Sequence, residues 1–537
     1  KRSRLIPLNT ISINRTIKEV VPQSFTLKEL TETQSPGSVL LEDFDNDGWL
    51  DVMISGMENN QPLKYYRNVN GQFNDVSEAS GVSRVFGGAQ LVQADYDNDG
   101  NLDVFLLRNH WLQTKTVLPN SLLRNNGDNT FTDVTLNSGL ADEVVSSSAA
   151  AWGDYDNDGD VDLFIATTRS YNMLTFFEYQ YNFNKLDLYP LKTAPSQLWQ
   201  NNGDGTFTNV AKKSGLNIVG DFLATSWGDY DHDGWIDIFI AQYMGRNYLL
   251  RNQGDGTFLD ISKTLNLVAP FYTYTAGFLD YNNDGYIDLL APNADVRPEN
   301  ILGSYLGRPF LNEPNGLYEN KFGQGFHHRG KKLNLEKIIP ATNINIEDFN
   351  HDGFLDFYML SNLDNSYAFF PNKLMLNLHD QAFSDYTEVY GLGFLRSHAS
   401  AMGDVDNDGD VDMVLQNLKP FILKSSVNIL HNPGSNHNWI TLRLSGKKSN
   451  RAAIGARVKL KITENEKSRS IYRTVGQHPS KAGNSLQLEI GVGTAQVIDE
   501  LEVFWPATKI KQVFKNVGIN AIYQVIEGST TLSVWKN

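Results

Sequence analysis

The feature that most constrains this chain is a nine-residue acidic pattern, Asp-x-(Asp/Asn)-x-Asp-Gly-x-aliphatic-Asp, which is written seven times. The copies are DFDNDGWLD from Asp43, DYDNDGNLD from Asp95, DYDNDGDVD from Asp154, DYDHDGWID from Asp229, DYNNDGYID from Asp280, DFNHDGFLD from Asp348 and DVDNDGDVD from Asp404. Their starts are 52, 59, 75, 51, 68 and 56 residues apart, a period of about 60 with insertions. A repeat of that length marks a structural unit that is stacked many times over.

Carboxylates on alternate residues of a tight loop converge on one point, and Ca²⁺ wants six to eight oxygens at about 2.3–2.6 Å. The expected ligands come from positions 1, 3, 5 and 9, with the freely varying position 7 supplying its backbone carbonyl. They are Asp43, Asp45, Asp47, Trp49 and Asp51 in the first loop, and Asp95, Asp97, Asp99, Asn101 and Asp103 in the second. The third has Asp154, Asp156, Asp158, Asp160 and Asp162, and the fourth Asp229, Asp231, Asp233, Trp235 and Asp237. The fifth has Asp280, Asn282, Asp284, Tyr286 and Asp288, and the sixth Asp348, Asn350, Asp352, Phe354 and Asp356. Asp404, Asp406, Asp408, Asp410 and Asp412 make the seventh. About seven structural Ca²⁺ ions are therefore expected. An EF-hand would need a Glu at position 12 and flanking helices. That position holds Ile54, Leu106, Ile165, Ile240, Ala291, Met359 and Leu415, and the runs that follow, such as DVFLL and DIFIA, read as strands. His232 and His351 occupy the non-liganding fourth position, where a surface role is expected.

The loops also account for the charge. The formal net charge is −16, but positions 1, 3, 5 and 9 hold 26 of the 62 acids, leaving 36 against 46 Lys and Arg. Acidity here is a property of the metal loops, not the sign of a basic partner, and no nucleic-acid partner is expected. There is no Cys, which excludes disulfides and thiol chemistry. No apolar run approaches the ~18 residues of a membrane-spanning helix, and the opening KRSRLIPLNTISINRT lacks the apolar core of a signal peptide.

Between the loops a second motif recurs: LLRNNGDNTFTDVT from Leu122, LWQNNGDGTFTNVA from Leu198 and LLRNQGDGTFLDIS from Leu249, with weaker forms from Leu63 and Leu374. Each is strand, Asn/Gly turn, strand. Two hairpins per repeat give four strands, the blade of a propeller. The seventh repeat reaches VNILHN without its last strand, and SFTLKELTE from Ser24 resembles the missing piece. The first strand is thus expected to complete the last blade and remove an open edge. From Asn436 onward, apolar and polar residues alternate in TLRLSG, ARVKLKI, LQLEIGV and ELEVFW, which predicts a small β-sandwich. The fold class expected is all-β: an N-terminal extension over 1–19, a seven-bladed β-propeller over 20–435 and the sandwich over 436–537.

On these residues the chain resembles the FG-GAP/VCBS repeats of integrin-α-type propellers. Its tail resembles the ASPIC/UnbV domain in Asn450-Arg451, Ile454-Gly455-Ala456-Arg457 and Trp505-Pro506, while departing from it at Ala507-Thr508 and over TVGQHPSKAGN from Thr474. That pairing is similar to the cartilage acidic protein family and its bacterial relatives.

No phosphate loop, GxSxG, HExxH or dinucleotide motif occurs. Long insertions after the third and fifth loops carry Arg169, Tyr171 and Glu178, and Arg297, respectively. Strand alignment places Arg108, His110, Arg169 and Tyr243 at equivalent ends, where a cup at the ring's mouth would hold a ligand. The favoured reading is a calcium-stabilised, secreted or envelope protein, periplasmic if bacterial, whose face loops recognise a protein, glycan or small molecule. The alternative, which the resemblance allows, is a calcium-supported, cytoplasmic enzyme of bacterial secondary metabolism that alkylates or cyclises a small molecule. Arg108 or Arg169 would supply electrostatic activation and Tyr243 or Glu178 would handle a proton.

Overall fold

The computed structural model describes residues 24–108, 118–141, 143–168, 194–295, 297–308, 315–361, 370–393, 395–418, 424–477, 479 and 483–535. Seven four-stranded antiparallel sheets follow one another as the blades of a propeller. In blade 1 the strands Val39–Glu42, Asp51–Ile54, Lys64–Val69 and Gln72–Asp75 run in order from first to last, and the acidic loop joins the first to the second. Blades 2 to 6 repeat this order. In blade 7, Ser397–Gly403, Asp412–Leu418 and Ser425–His431 are completed by Thr26–Thr33, which pairs antiparallel with Ser425–His431. Strands from the two ends of the propeller thus share one sheet, and that blade is left without an open place.

Strands such as Asp103–Leu107 are buried along their whole length because each blade packs on a neighbour at both faces. Alternate residues go to opposite neighbours. Leu40 and Met53 join the cluster between blades 1 and 2; Val39, Leu41, Val52 and Ile54 join the one between blades 7 and 1. Five more such clusters fill the remaining gaps between blades. Blade 5 contains a hairpin that the motif search passed over, Gly316–Asn320 with Phe326–His328. Its His327 and His328 are exposed on the second strand of that hairpin.

Polar bonds also join the blades. A buried Asn stands within one residue of the end of the third strand in every blade: Asn68, Asn125, Asn201, Asn252, Asn320, Asn377 and Asn432. Each donates its side-chain amide to the carbonyl of loop position 2 in the preceding blade, from Asn68 to Val405, Asn125 to Phe44 and Asn201 to Tyr96, through to Asn432 and Phe349. It donates also to the carbonyl of position 8 in its own loop. The bond from Asn68 to Val405, 2.8 Å, joins blade 1 to blade 7 and closes the ring.

Beyond the propeller, two further four-stranded sheets make the β-sandwich. One contains Asn438–Ser445, Leu488–Gly493, Ile522–Ile526 and Ser533–Val534; the other contains Arg457–Glu464, Lys467–Thr474, Ile498–Trp505 and Ile510–Val517. They share one core around the fully buried Trp505.

Replacing Asn201 with Ala strands two buried carbonyls, at about 1–3 kcal/mol each. Asn201→Ala should therefore lose roughly 2–4 kcal/mol. Asn202→Ala, one residue along in the exposed turn, should stay within about 0.5 kcal/mol of the parent. Urea unfolding midpoints of the three proteins, compared at fixed calcium, check the difference.

Candidate metal centres

Each acidic loop is wired by its own backbone. The Gly at position 6 has φ between 88° and 97° in all seven copies, a conformation that costs Gly little. That turn aims its N–H at Oδ2 of the first Asp, as from Gly48 to Asp43 and Gly353 to Asp348. The N–H of position 7 goes to Oδ1 of the fifth-position Asp in every loop. The ninth-position Asp accepts from the N–H of position 2 and from the N–H of the ring Asn, as Asp103 does from Tyr96 and Asn125 at 3.1 and 2.8 Å. The same carboxylate therefore closes the loop and anchors the blade-to-blade bridge.

What the backbone leaves over converges. Asp43, Asp45 and Asp47 bring ligand atoms within 4.8 Å of one another, as do Asp95, Asp97 and Asp99; Asp154, Asp156 and Asp162; and Asp229, Asp231 and Asp237. Asp97, Asp154, Asp156 and Asp406 each keep a buried carboxylate oxygen without a hydrogen-bond partner. A set of oxygens alone, orphaned and mutually repelling, fits a hard divalent cation. Burial pushes the carboxyls of Asp95, Asp154 and Asp280 up to about 7, with repulsion from the Asp at position 5 adding to it. Asp43 and Asp229 reach about 6, burial again leading, with Arg443 and Arg457 holding them down.

An imidazole joins the cluster in blade 7, and in blade 6 His379 Nε2 lies 3.4 Å from Asp352. His431, just before the ring Asn, lies 3.1 Å from Asp406 and 3.5 Å from Asp412. Its equivalents in blades 1 and 4, Arg67 and Arg251, pair with Asp45 and Asp47 and with Asp231 and Asp233.

Position 4 connects one loop to the next. Asn46 donates to the Gly100 carbonyl, Asn98 to Gly159, Asn157 to Gly234, Asn283 to Gly353 and Asn407 to Gly48. This corrects the surface role expected of His351. It is 1% exposed, wedged at the seam of loops 6 and 7, with Nδ1 3.3 Å from Asp410. His232 stacks on Tyr286 of the next loop, 4.3 Å between ring centres.

The β-sandwich sits on the face where these loops lie. Arg443 reaches Asp43 at 2.8 Å and the Gly48 carbonyl at 2.9 Å. Arg457 reaches Asp229 at 3.3 Å, and Arg473, almost fully buried, lies 3.8 Å from Asp348. The backbone N–H of Arg451 bonds Asn98, and that of Gly491 bonds Asp348. Contact is close enough that a Cβ on Gly409 would lie 1.9 Å from Trp439. The segment where the sandwich departs from its family pattern reaches the first strands of the blades. Gly483 accepts from Leu41 N–H, and Asn484 bonds Gln93, Asn345, Glu347 and Met402, touching blades 2, 6 and 7.

Of the residues expected to form a ligand cup, Arg108 and Tyr243 directly follow second strands, at the ends away from the loops. Arg108 is buried and committed to the Phe86 and Pro119 carbonyls and to Ser121, so its head is part of the wall. Tyr243 packs against Tyr272 and Tyr274. Arg297 pairs with Asp295 at 2.8 Å and lies over Tyr272. His110, Arg169, Tyr171 and Glu178 lie outside the described residues.

Comparison with known proteins agrees with this construction. The FG-GAP-like repeat family matches residues 43–106, 113–165, 184–240, 229–291 and 348–415, and the ASPIC and UnbV family matches 446–532. Cartilage acidic protein 1 of Xenopus tropicalis is 25% identical over 520 residues, covering 91% of this chain and 73% of that protein. Its Homo sapiens counterpart is 24% identical over 525 residues, covering 92% and 72%. Among solved structures, BBS1N in complex with ARL6DN aligns with a TM-score of 0.41 at 8% identity, covering 76% of this chain and 97% of that one. The chain belongs to the FG-GAP-like repeat family, with an ASPIC and UnbV domain following its repeats.

Proposed function

We propose that this protein is a calcium-stabilised binding and recognition module of the extracellular space or cell envelope, with one Ca²⁺ in each of its seven loops. The observation that carries the reading is the orphaned carboxylate oxygens, converging in loops that lie against the β-sandwich. Ions there neutralise repulsion between buried acids and brace the bonds between blades, which is a structural role. In each loop positions 1, 3, 5 and 9 supply carboxylate or carboxamide oxygens, and position 7 its carbonyl. Because binding to the folded state alone stabilises it by mass action, calcium serves where a chain without Cys has no disulfide to use.

Recognition falls to the opposite face, because the β-sandwich covers the loop face. Exposed apolar side chains support this: Phe271 precedes the Tyr272 and Arg297 contact, and Leu302, Tyr305 and Leu306 lie on or just after the helix Pro298–Tyr305. A protein or glycan partner suits such a surface better than a deep catalytic pocket would. Engagement of Arg108 Nε and Nη1 by the wall favours binding over the enzyme reading.

Metal analysis of the purified chain should find close to seven Ca²⁺, and excess chelator should lower the melting temperature by more than about 10 °C. Substoichiometric calcium with an unmoved melting temperature would refute the reading. Chelation should also give stability a particular pH dependence. The first-position carboxyls of Asp43, Asp95, Asp154, Asp229 and Asp280 are raised to about 6–7 in the fold, so near pH 5 the native state holds protons that the unfolded chain has released. Stability of the metal-free protein should therefore fall as pH rises from about 4 to 7 and level off above that. With calcium present the trend reverses, because protons then compete with the ion. Differential scanning calorimetry at pH 5, 6, 7 and 8, with calcium and with chelator, reads both slopes; parallel slopes would contradict the assignment.

A further inference from the structure

The β-sandwich does not seat flush on the propeller. Over blades 3 to 5 the seam encloses a cavity of about 110 Å³. Trp152, Trp227 and Phe278 line it from the propeller side, each two residues before the first Asp of its loop. Arg473, Gln477 and Trp505 line it from the other domain. The first strands leave room here because the next residue in blades 3 and 4 is Gly153 and Gly228; a Cβ on Gly228 would come within 2.5 Å of Ile287 and 3.3 Å of the Gln477 carboxamide.

Among the described residues four polar atoms of this lining lack a hydrogen-bond partner: the acceptor Asp154 Oδ1 and three donors, Trp152 Nε1, Arg473 Nε and Gln477 Nε2. Trp152 is 6% exposed and Arg473 9%, so neither is solvated at the outer surface. The orphaned indole is not a property of the repeat, since Trp227 at the same position donates to the Ala151 carbonyl at 3.2 Å. The rest of the Arg473 head is held by the Tyr472 and Gly353 carbonyls. Apart from Asp154, which belongs to a metal loop, the cavity therefore presents unmatched donors on an aromatic and aliphatic lining.

We propose that this seam cavity is a binding site for a small, uncharged acyl compound, with its carbonyl oxygen on the orphaned N–H groups and its short apolar body against Trp152, Trp227 and Phe278. The head is a neutral carbonyl, because the acidic side chains of Asp280, Glu347 and Glu489 line the same cavity as Arg457 and Arg473 and leave no surplus of positive charge for an anion. The volume is below the ~150 Å³ that accommodates benzene, which restricts the body to about four or five carbons. This site is independent of the recognition face, and its test does not depend on that reading.

The experiment uses the full chain, calcium-loaded, with its nine Trp indoles ¹⁵N-labelled and isobutyramide as the probe. The indole resonance that disappears in Trp152→Phe should shift saturably with isobutyramide, more weakly with isobutyrate and not with isobutylamine. Trp152→Phe and Gln477→Leu should each weaken binding roughly fivefold, the loss of one neutral hydrogen bond. Gln477→Leu, at a partly exposed position, keeps the test readable if Trp152→Phe folds poorly. No saturable shift at the solubility limit, an equal response to isobutylamine, or unchanged affinity in both variants would overturn the proposal. So would a crystal soaked in isobutyramide that shows only water on the three donors.

Discussion

The structure depends on a bridge repeated at every blade: a buried Asn that donates one side-chain amide to its own acidic loop and to the loop of the blade before it. A propeller has no central core, and its apolar clusters lie between blades, where they hold two sheets face to face without specifying register. The Asn does specify it. Its amide satisfies two carbonyls that would otherwise be orphaned, its N–H binds the ninth-position Asp, and its Oδ1 caps the following turn, as Asn201 does for Gly203. Metal loop, blade edge and neighbouring blade thus share one residue, and disturbing the loop disturbs the ring.

This linkage gives the loops' position under the β-sandwich its meaning. Arg443, Arg457 and Arg473 each approach a first-position Asp, in blades 1, 4 and 6. Each guanidinium offsets part of the charge that burial concentrates on that carboxylate. The sandwich also binds the Gly carbonyls and position-4 amides that join loop to loop. The second domain is therefore bonded directly to the loops and to the links between them.

Much of the fold was legible because it is written locally. The turn at each loop Gly, the two-hairpin repeat, the strand alternation of the sandwich and the resemblance of Ser24–Glu32 to a last blade strand all rest on neighbours in sequence, and the pairing of Thr26–Thr33 with Ser425–His431 follows from the last of these. The blade-5 hairpin escaped notice because its turn, KFGQG, lacks the Asn-Gly signature of the others. The ring Asn stands in LLRN and LWQN but reads there as a turn residue, since its role lies in carbonyls of another blade. His351 was assigned to the surface for the same reason: nothing nearby in sequence shows the loop that buries it.

The sequence by itself determined what depends on chain-local geometry: the acidic loops, their spacing, the four-stranded unit, its sevenfold count and the all-β class. Only the tertiary structure decided which face of the ring is covered, which arginines meet which loops, and where the cavity between the domains lies. The physical reason is range. A loop's ligand set is built from residues within nine positions of one another, whereas Arg443 and Asp43, or Gln477 and Trp152, meet only because the ring closes and a second domain docks upon it. No periodicity records such meetings. Arg108 shows the converse, since its place at a strand end was readable while its capture by the Phe86 and Pro119 carbonyls was not.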